Sequence, residues 1–190
     1  LREEDVAAVY HFNSKVERLQ DFSASRDLSP LTFELRPTGS TVLNDAILRA
    51  ARDLSVRPEK RRAIIVISDG ADTRSTASSE KALNGALSAN ATVYTVDMMD
   101  PQAAASEKLA AASALKNLAN KSGGRYVSAP GGKTLNEALT NIVEEMSNQY
   151  TLGYRPSNPA RDGRWRAIDL KLVRTELKVR TRNGYRAPKS

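Results

Sequence analysis

The sequence predicts an α/β fold, a mostly parallel sheet with helices on both faces, continued at its C-terminus by antiparallel β-strands. Three observations carry this expectation. Ala63-Ile64-Ile65-Val66-Ile67 is a continuous, largely β-branched run, the pattern of a parallel strand covered on both sides. Strand-like runs alternate with helix-length segments on either side of it, which implies a parallel sheet with right-handed crossovers. Beyond Tyr150 the helical spacing stops and period-two alternation takes over. The expected division is a body over residues 1–149 and a β-rich extension over residues 150–190.

Each element follows from local chemistry. Val6 to Phe12 reads as a mostly buried strand, and Lys15 to Leu19 as an exposed one beyond the Asn13-Ser14 turn. Ser29-Pro30 supplies an N-cap and a first-turn proline for a short helix reaching Leu35. From Thr41 onward, Leu43, Ala46, Ile47, Ala50, Ala51 and Leu54 recur at helical spacing. The strand Ala63–Ile67 stops at Ser68-Asp69-Gly70. A helix near Ser79–Ala89, a strand over Ala91–Asp97 and a helix over Ala105–Lys121 come next, the last closed by Gly123-Gly124. A short strand, Arg125–Ser128, and a helix, Thr134–Ser147, complete the body. The extension carries two alternating segments, Trp165–Val173 and Leu177–Thr181, with Lys178, Arg180 and Arg182 in line on one face.

Bulk properties remove several function classes. At 40% hydrophobic and 27% charged residues, the composition is that of a globular domain. No apolar run approaches the length of a membrane span. There are no cysteines, which excludes disulfides, thiol catalysis and cysteine-based zinc sites. The net charge of +7 is uneven. Residues 150–190 hold 11 Lys and Arg against 3 Asp and Glu, whereas residues 1–149 hold 18 against 19. The basicity therefore belongs to the extension.

Ligands of open α/β sheets sit at the carboxyl ends of the strands, and Asp69 ends the most hydrophobic strand. Taken alone, Asp69 also suits a turn or helix cap, and Ser40 or Thr41 suits an N-cap for the helix that starts there. The combination is more specific. A Gly-x-Thr-x-Leu-x-Asp-Ala helix start at Gly39 to Ala46, followed by an apolar strand ending Ser68-Asp69-Gly70-Ala71-Asp72, resembles the von Willebrand factor A (VWA) domain. The ordered segments AAVYHF, LQDFSASRD, GSTVLNDAI, RRAIIVISDGADTRS, ATVYTVD, SGGRYV, QYTLGYRPSN, GRWRAIDLKLV and LKVRTRNGY extend the resemblance over essentially the whole chain. They are similar to the VWFA-related proteins of acidobacteria and their relatives.

The resemblance implies a Rossmann-like VWA fold and a Mg²⁺ site, of the kind called MIDAS, at the sheet rim; Mn²⁺ or Ca²⁺ are the other candidate cations. Such a site draws on a D-x-S-x-S loop, a threonine loop and an aspartate loop. A carboxylate of a protein partner can complete the metal sphere. By position, Thr41 is the second-loop ligand and Asp69 the third, the latter acting through water. Asp45 and Asp72 lie beside these motifs and are not assigned as ligands.

Asp21-Phe22-Ser23-Ala24-Ser25 spells the first motif in the wrong place. The motif belongs after the apolar first strand of the fold, and here it follows the edge-type segment Lys15 to Gln20. Asp21, Ser23 and Ser25 are therefore read as caps of the Ser29–Leu35 helix. The first strand, its metal loop and its helix are expected upstream of Leu1, which leaves the site of this chain incomplete. A missing central strand would also leave unpaired backbone groups and an uncovered apolar seam open to self-association.

No enzymatic constellation emerges. His11, the only histidine, falls inside a strand; Ser68 lacks a nucleophile-elbow pattern; there is no P-loop and no dinucleotide fingerprint. The basic residues of the extension suit a polyanion, a glycan or protection against edge-to-edge aggregation, but no stacking platform for nucleic acid is visible. The expectation is a non-catalytic protein-binding or adhesion module in an extracytoplasmic setting, that setting coming from the resemblance. The competing expectation is a metal-independent structural or assembly module.

Overall fold

The computed structural model describes residues 5–24, 40–70, 72–174 and 176–189. Its elements run β1 (Ala7–Phe12), β2 (Val16–Ser23), α1 (Leu43–Ser55), β3 (Arg62–Ser68), α2 (Ser79–Ser88), β4 (Ala91–Asp97), α3 (Ala105–Ser122), β5 (Tyr126–Ser128), α4 (Gly132–Ser147), β6 (Trp165–Ala167) and β7 (Gly184–Arg186). The helix expected over Ser29–Leu35 lies outside the described residues. The chain forms a mixed α/β, Rossmann-like fold in which β3, β4 and β5 make a parallel sheet with β4 in the middle.

Alternation along β4 sets the layers, because successive side chains of a strand point to opposite faces. Val93 joins a core with Ile64 and Val66 of β3, Ile47 of α1, Leu83 of α2 and Leu115 of α3. On the same side, the Thr95 hydroxyl donates to the Leu115 carbonyl at 3.2 Å. Tyr94 and Val96 face the other way and pack with Ala138 and Ile142 of α4. Among the described residues helices thus cover both faces, three on one and one on the other. Each fully buried side chain of the size of Ile47 or Leu115 contributes about 2–3 kcal/mol relative to exposure.

The lone helix of the second face does not reach across the sheet. Ile65 and Ile67 of β3 point to that face and remain 37% and 40% exposed. Among the described residues β3 pairs with β4 alone, and its other edge has no neighbour among them. The hairpin β1–β2 is a separate antiparallel sheet. It is anchored to α1 instead: Phe12 packs against the first core, and the Val42 N–H donates to the Asn13 carbonyl at 3.0 Å.

Two expectations are corrected. The strand read as Lys15–Leu19 is longer and includes Asp21, Phe22 and Ser23, because Ser23 finds a cross-strand partner in Ala7 past two register shifts. These residues are strand residues, and the helix they were expected to cap lies outside the described residues. The extension forms far less sheet than its alternation suggests. Among its described residues β6 and β7 pair over three residues each, with Trp165 opposite Arg186, and one isolated bridge joins Asp162 to Lys189. The chain before β7 is spent on the body instead. The Asn183 N–H donates to the Lys121 carbonyl, Arg182 Nη1 to Asn90 Oδ1 at 3.0 Å, and Arg180 Nη2 to Glu145 Oε2 at 2.9 Å. Gly123, left-handed at φ 88° as the cap of α3, lies so close that a Cβ there would meet the Arg182 nitrogen at 2.5 Å. These contacts replace ladder bonds, so Lys178, Arg180 and Arg182 do not form the row of one strand face.

Candidate functional site

The carboxyl end of β3 makes the rim on which the sequence places Asp69. Gly70 turns the chain there with φ 82°, and a Cβ at that position would meet the Ala111 Cβ of α3 at 2.8 Å. Glycine is thus required on both backbone and packing grounds. The buried Ser68 hydroxyl accepts the Gly70 N–H at 3.1 Å and lies 3.5 Å from Asp69 Oδ1. Asp69 itself is exposed. The neighbouring strand end is tied in by the Met98 N–H, which donates to the Ser68 carbonyl at 2.9 Å.

Thr41 stands two residues ahead of α1, on a loop stitched to the one that follows Asp69. Its N–H donates to Thr73 Oγ1 at 2.9 Å, and its carbonyl accepts the N–H groups of Thr73 and Arg74 at 3.0 and 3.1 Å. The N-terminus of α1 carries no side-chain cap from its own N-cap residue, Val42. Its orphan donors are satisfied from across the loop instead: Asn44 N–H by Asp72 Oδ2 at 2.8 Å, and Asp45 N–H by Ser75 Oγ at 3.1 Å. Capping by Ser40 or Thr41, natural from the sequence, gives way to capping by the Asp69 loop.

The stitching runs in the other direction too. Asp45 Oδ2 accepts the Thr76 N–H at 2.9 Å, Oδ1 accepts the Ala77 N–H at 2.9 Å, and the Thr76 hydroxyl donates to the same carboxylate. Burial works to raise the pKa of Asp45, but these donors, with the charge of Lys81, outweigh it and hold the group below its ordinary value. Asp72 is likewise occupied, its Oδ1 accepting the Ser75 N–H at 3.0 Å. Both carboxylates therefore fasten loops.

Thr41 and Asp69 are hard oxygen donors of the kind Mg²⁺ prefers, and the structure brings their loops together. They fit a cation in kind and fall short in number. Among the described residues no group of three acidic or histidine side chains is placed to hold a metal. Asp21 does not join this rim. It lies on β2, accepts the Phe22 N–H at 2.8 Å and pairs with Arg18 at 3.1 Å. Ser25 lies outside the described residues.

Two further groups shape the rim. Asp97, 4% exposed at the end of β4, accepts the Tyr126 hydroxyl at 2.6 Å and the Met99 N–H at 2.8 Å. Burial, then the hydrogen bond to Asp97, pushes the Tyr126 phenol up to about 12. Thr73, Ser75 and Thr76 were not expected as structural partners. The clue was the hydroxyl-rich run Thr73-Arg74-Ser75-Thr76 directly after the aspartates.

No family model matches the sequence, and neither does any curated protein. Solved structures do match by shape. The conserved hypothetical protein BatB of Bacteroides thetaiotaomicron superposes with a TM-score of 0.53 at 16% identity, over 78% of this chain and 82% of that one. An aerotolerance-related membrane protein of Bacteroides fragilis NCTC 9343, carrying multiple mutations to serine, gives 0.52 at 16% identity over the same shares. At this identity the likeness establishes the fold alone, and the chain is similar to these two bacterial proteins in its α/β architecture.

Proposed function

We propose that this chain is a non-catalytic protein-binding or adhesion module of the VWA type, working in an extracytoplasmic setting. The observation that carries the reading is the double stitching of the Thr41 loop to the Asp69 loop at the carboxyl end of β3. That arrangement sets the Thr41 and Asp69 loops side by side on the rim where α/β sheets take ligands. A cation such as Mg²⁺ would be held by Thr41 and by Asp69 through water, and would supply a positive centre for an acidic residue of a protein partner. Two protein donors hold Mg²⁺ weakly against water, so cation binding by this chain alone is expected to be weak. No helix among the described residues is long and apolar enough to cross a membrane.

The second reading is a metal-independent structural or assembly module. It is favoured by the way Asp45 and Asp72 spend their oxygens on backbone N–H groups. Calorimetric titration with Mg²⁺ and Mn²⁺ separates the two. Saturable binding lost in both Thr41→Ala and Asp69→Ala supports the cation-assisted module. No binding, or binding indifferent to both substitutions, leaves the structural module.

A further inference from the structure

The extension meets the body in a groove that the proposed function does not use. It is an open cavity of about 490 Å³ between α2, the end of α3 and the β6–β7 pair, within the size range of small-molecule sites. Its floor is Leu83 and Leu87 of α2. Trp165 of β6 stands on one wall, 42% exposed. Asn84, Asn117, Asn183 and Lys121 also line it.

The indole is positioned rather than loose. Trp165 and Arg186 are cross-strand partners, so their side chains share one face of the pair. Arg186 reaches α2 across that face, with Nη2 3.5 Å from Glu80 Oε1. Gly184 lies against the indole, and a Cβ there would meet the ring atoms Cζ2 and Cε2 at 2.5 and 2.6 Å. An aromatic ring is thus held by a glycine while much of its surface stays open to the groove.

We propose that this groove binds a short oligosaccharide. A sugar offers an apolar C–H face, which suits the indole, and a ring of hydroxyls that donate and accept, which suits carboxamides supplying both functions. Glu80 pairs with Arg186, whereas Lys121 has no acidic partner among the described residues, which favours sugars bearing a carboxylate. A nucleotide base would also stack on the indole, but the paired Arg186 leaves only Lys121 for its phosphates. This inference is independent of the rim site and stands or falls apart from it.

Trp165 is the only tryptophan, so its fluorescence reports the groove directly. The whole chain is titrated with a tetramer of galacturonate and with cellotetraose, up to about 10 mM, the weak end of specific binding. A saturable fluorescence change with either is the expected result, with the uronate tighter. Calorimetry then reads the variants: Asn117→Ala and Asn183→Ala each weaken binding about 3- to 10-fold, the worth of one hydrogen bond. Lys121→Met removes the preference for the uronate, and Gly184→Ala weakens both sugars by displacing the indole together with the β6 backbone at Arg166. No saturable change with either tetramer overturns the proposal. So does uronate binding that the asparagine substitutions leave unchanged while salt abolishes it, since that is attachment to the basic extension at large.

Discussion

Thr41 and Thr73 hold each other through two hydrogen bonds: the Thr41 N–H donates to the Thr73 hydroxyl at 2.9 Å, and the Thr73 N–H donates back to the Thr41 carbonyl at 3.0 Å. This reciprocal pair fixes the distance between the two loops of the rim, so the geometry around Thr41 is set by a residue of the other loop. Replacing Thr73 by Val keeps the shape and the backbone bond and removes the hydroxyl acceptor. The expected cost is about 1 kcal/mol of stability in urea denaturation, with faster hydrogen exchange at the Thr41 amide. An unchanged Thr41 exchange rate would show that the hydroxyl does not fasten the loop.

The aspartates of the rim divide by role, and stability separates them. Asp72→Ala strips partners from the Asn44 and Ser75 N–H groups and uncaps α1, at an expected cost of about 1–3 kcal/mol. Asp69→Ala removes an exposed carboxylate and should cost less stability than Asp72→Ala. Equal losses in the two variants would mean that Asp69 is another loop fastener, and the ligand role proposed for it would lose its footing.

The contrast also shows which parts of the molecule the sequence discloses. The run Ala63–Ile67 and the alternation in β4 are local patterns, and they map onto a sheet whose layers follow from period two alone. Gly123 as the end of α3 was legible for the same reason, since a left-handed cap is a property of one residue. The capping of α1 was not, because its donors are satisfied by Asp72 and Ser75, about thirty residues away. The extension misled for a related reason. Its alternation promises long strands, but Arg180 and Arg182 find acceptors on α4 and beside β4, and the ladder yields to those tertiary contacts. Asp21 is the reverse case, a motif correct in spelling whose strand context assigns it to a hairpin.

Alkaline pH should destabilise the chain through two tyrosines. Tyr10 donates to Asp53 Oδ2 at 2.7 Å and Tyr126 to Asp97 Oδ2 at 2.6 Å. Burial first, then these hydrogen bonds, push both phenols from 10.0 up to about 12. Because folding raises these pKa values, the stabilisation is complete below the unfolded value and drains away as pH climbs from 10.0 to about 12. Urea denaturation at successive pH values should show a decline that begins in that window, and Tyr126→Phe should make it shallower. A decline of the same steepness in Tyr126→Phe would assign the loss to other groups.

The open side of β3 predicts an association behaviour. Ile65 and Ile67 are exposed beside a strand edge that has no neighbour among the described residues. An apolar edge of this kind is a template for pairing with another chain, because unpaired N–H and C=O groups lie next to surface that gains by leaving water. Sedimentation velocity over a concentration series should show self-association. The double substitution Ile65→Thr and Ile67→Thr keeps β-branching while removing apolar surface, so it should shift the equilibrium toward monomer without loss of the far-ultraviolet spectrum. Lys178→Glu serves as the control, since it changes the charge of the extension and leaves β3 intact. A wild-type chain that stays monomeric at every concentration, or an association weakened by Lys178→Glu and not by the isoleucine pair, would place the contact elsewhere or remove it.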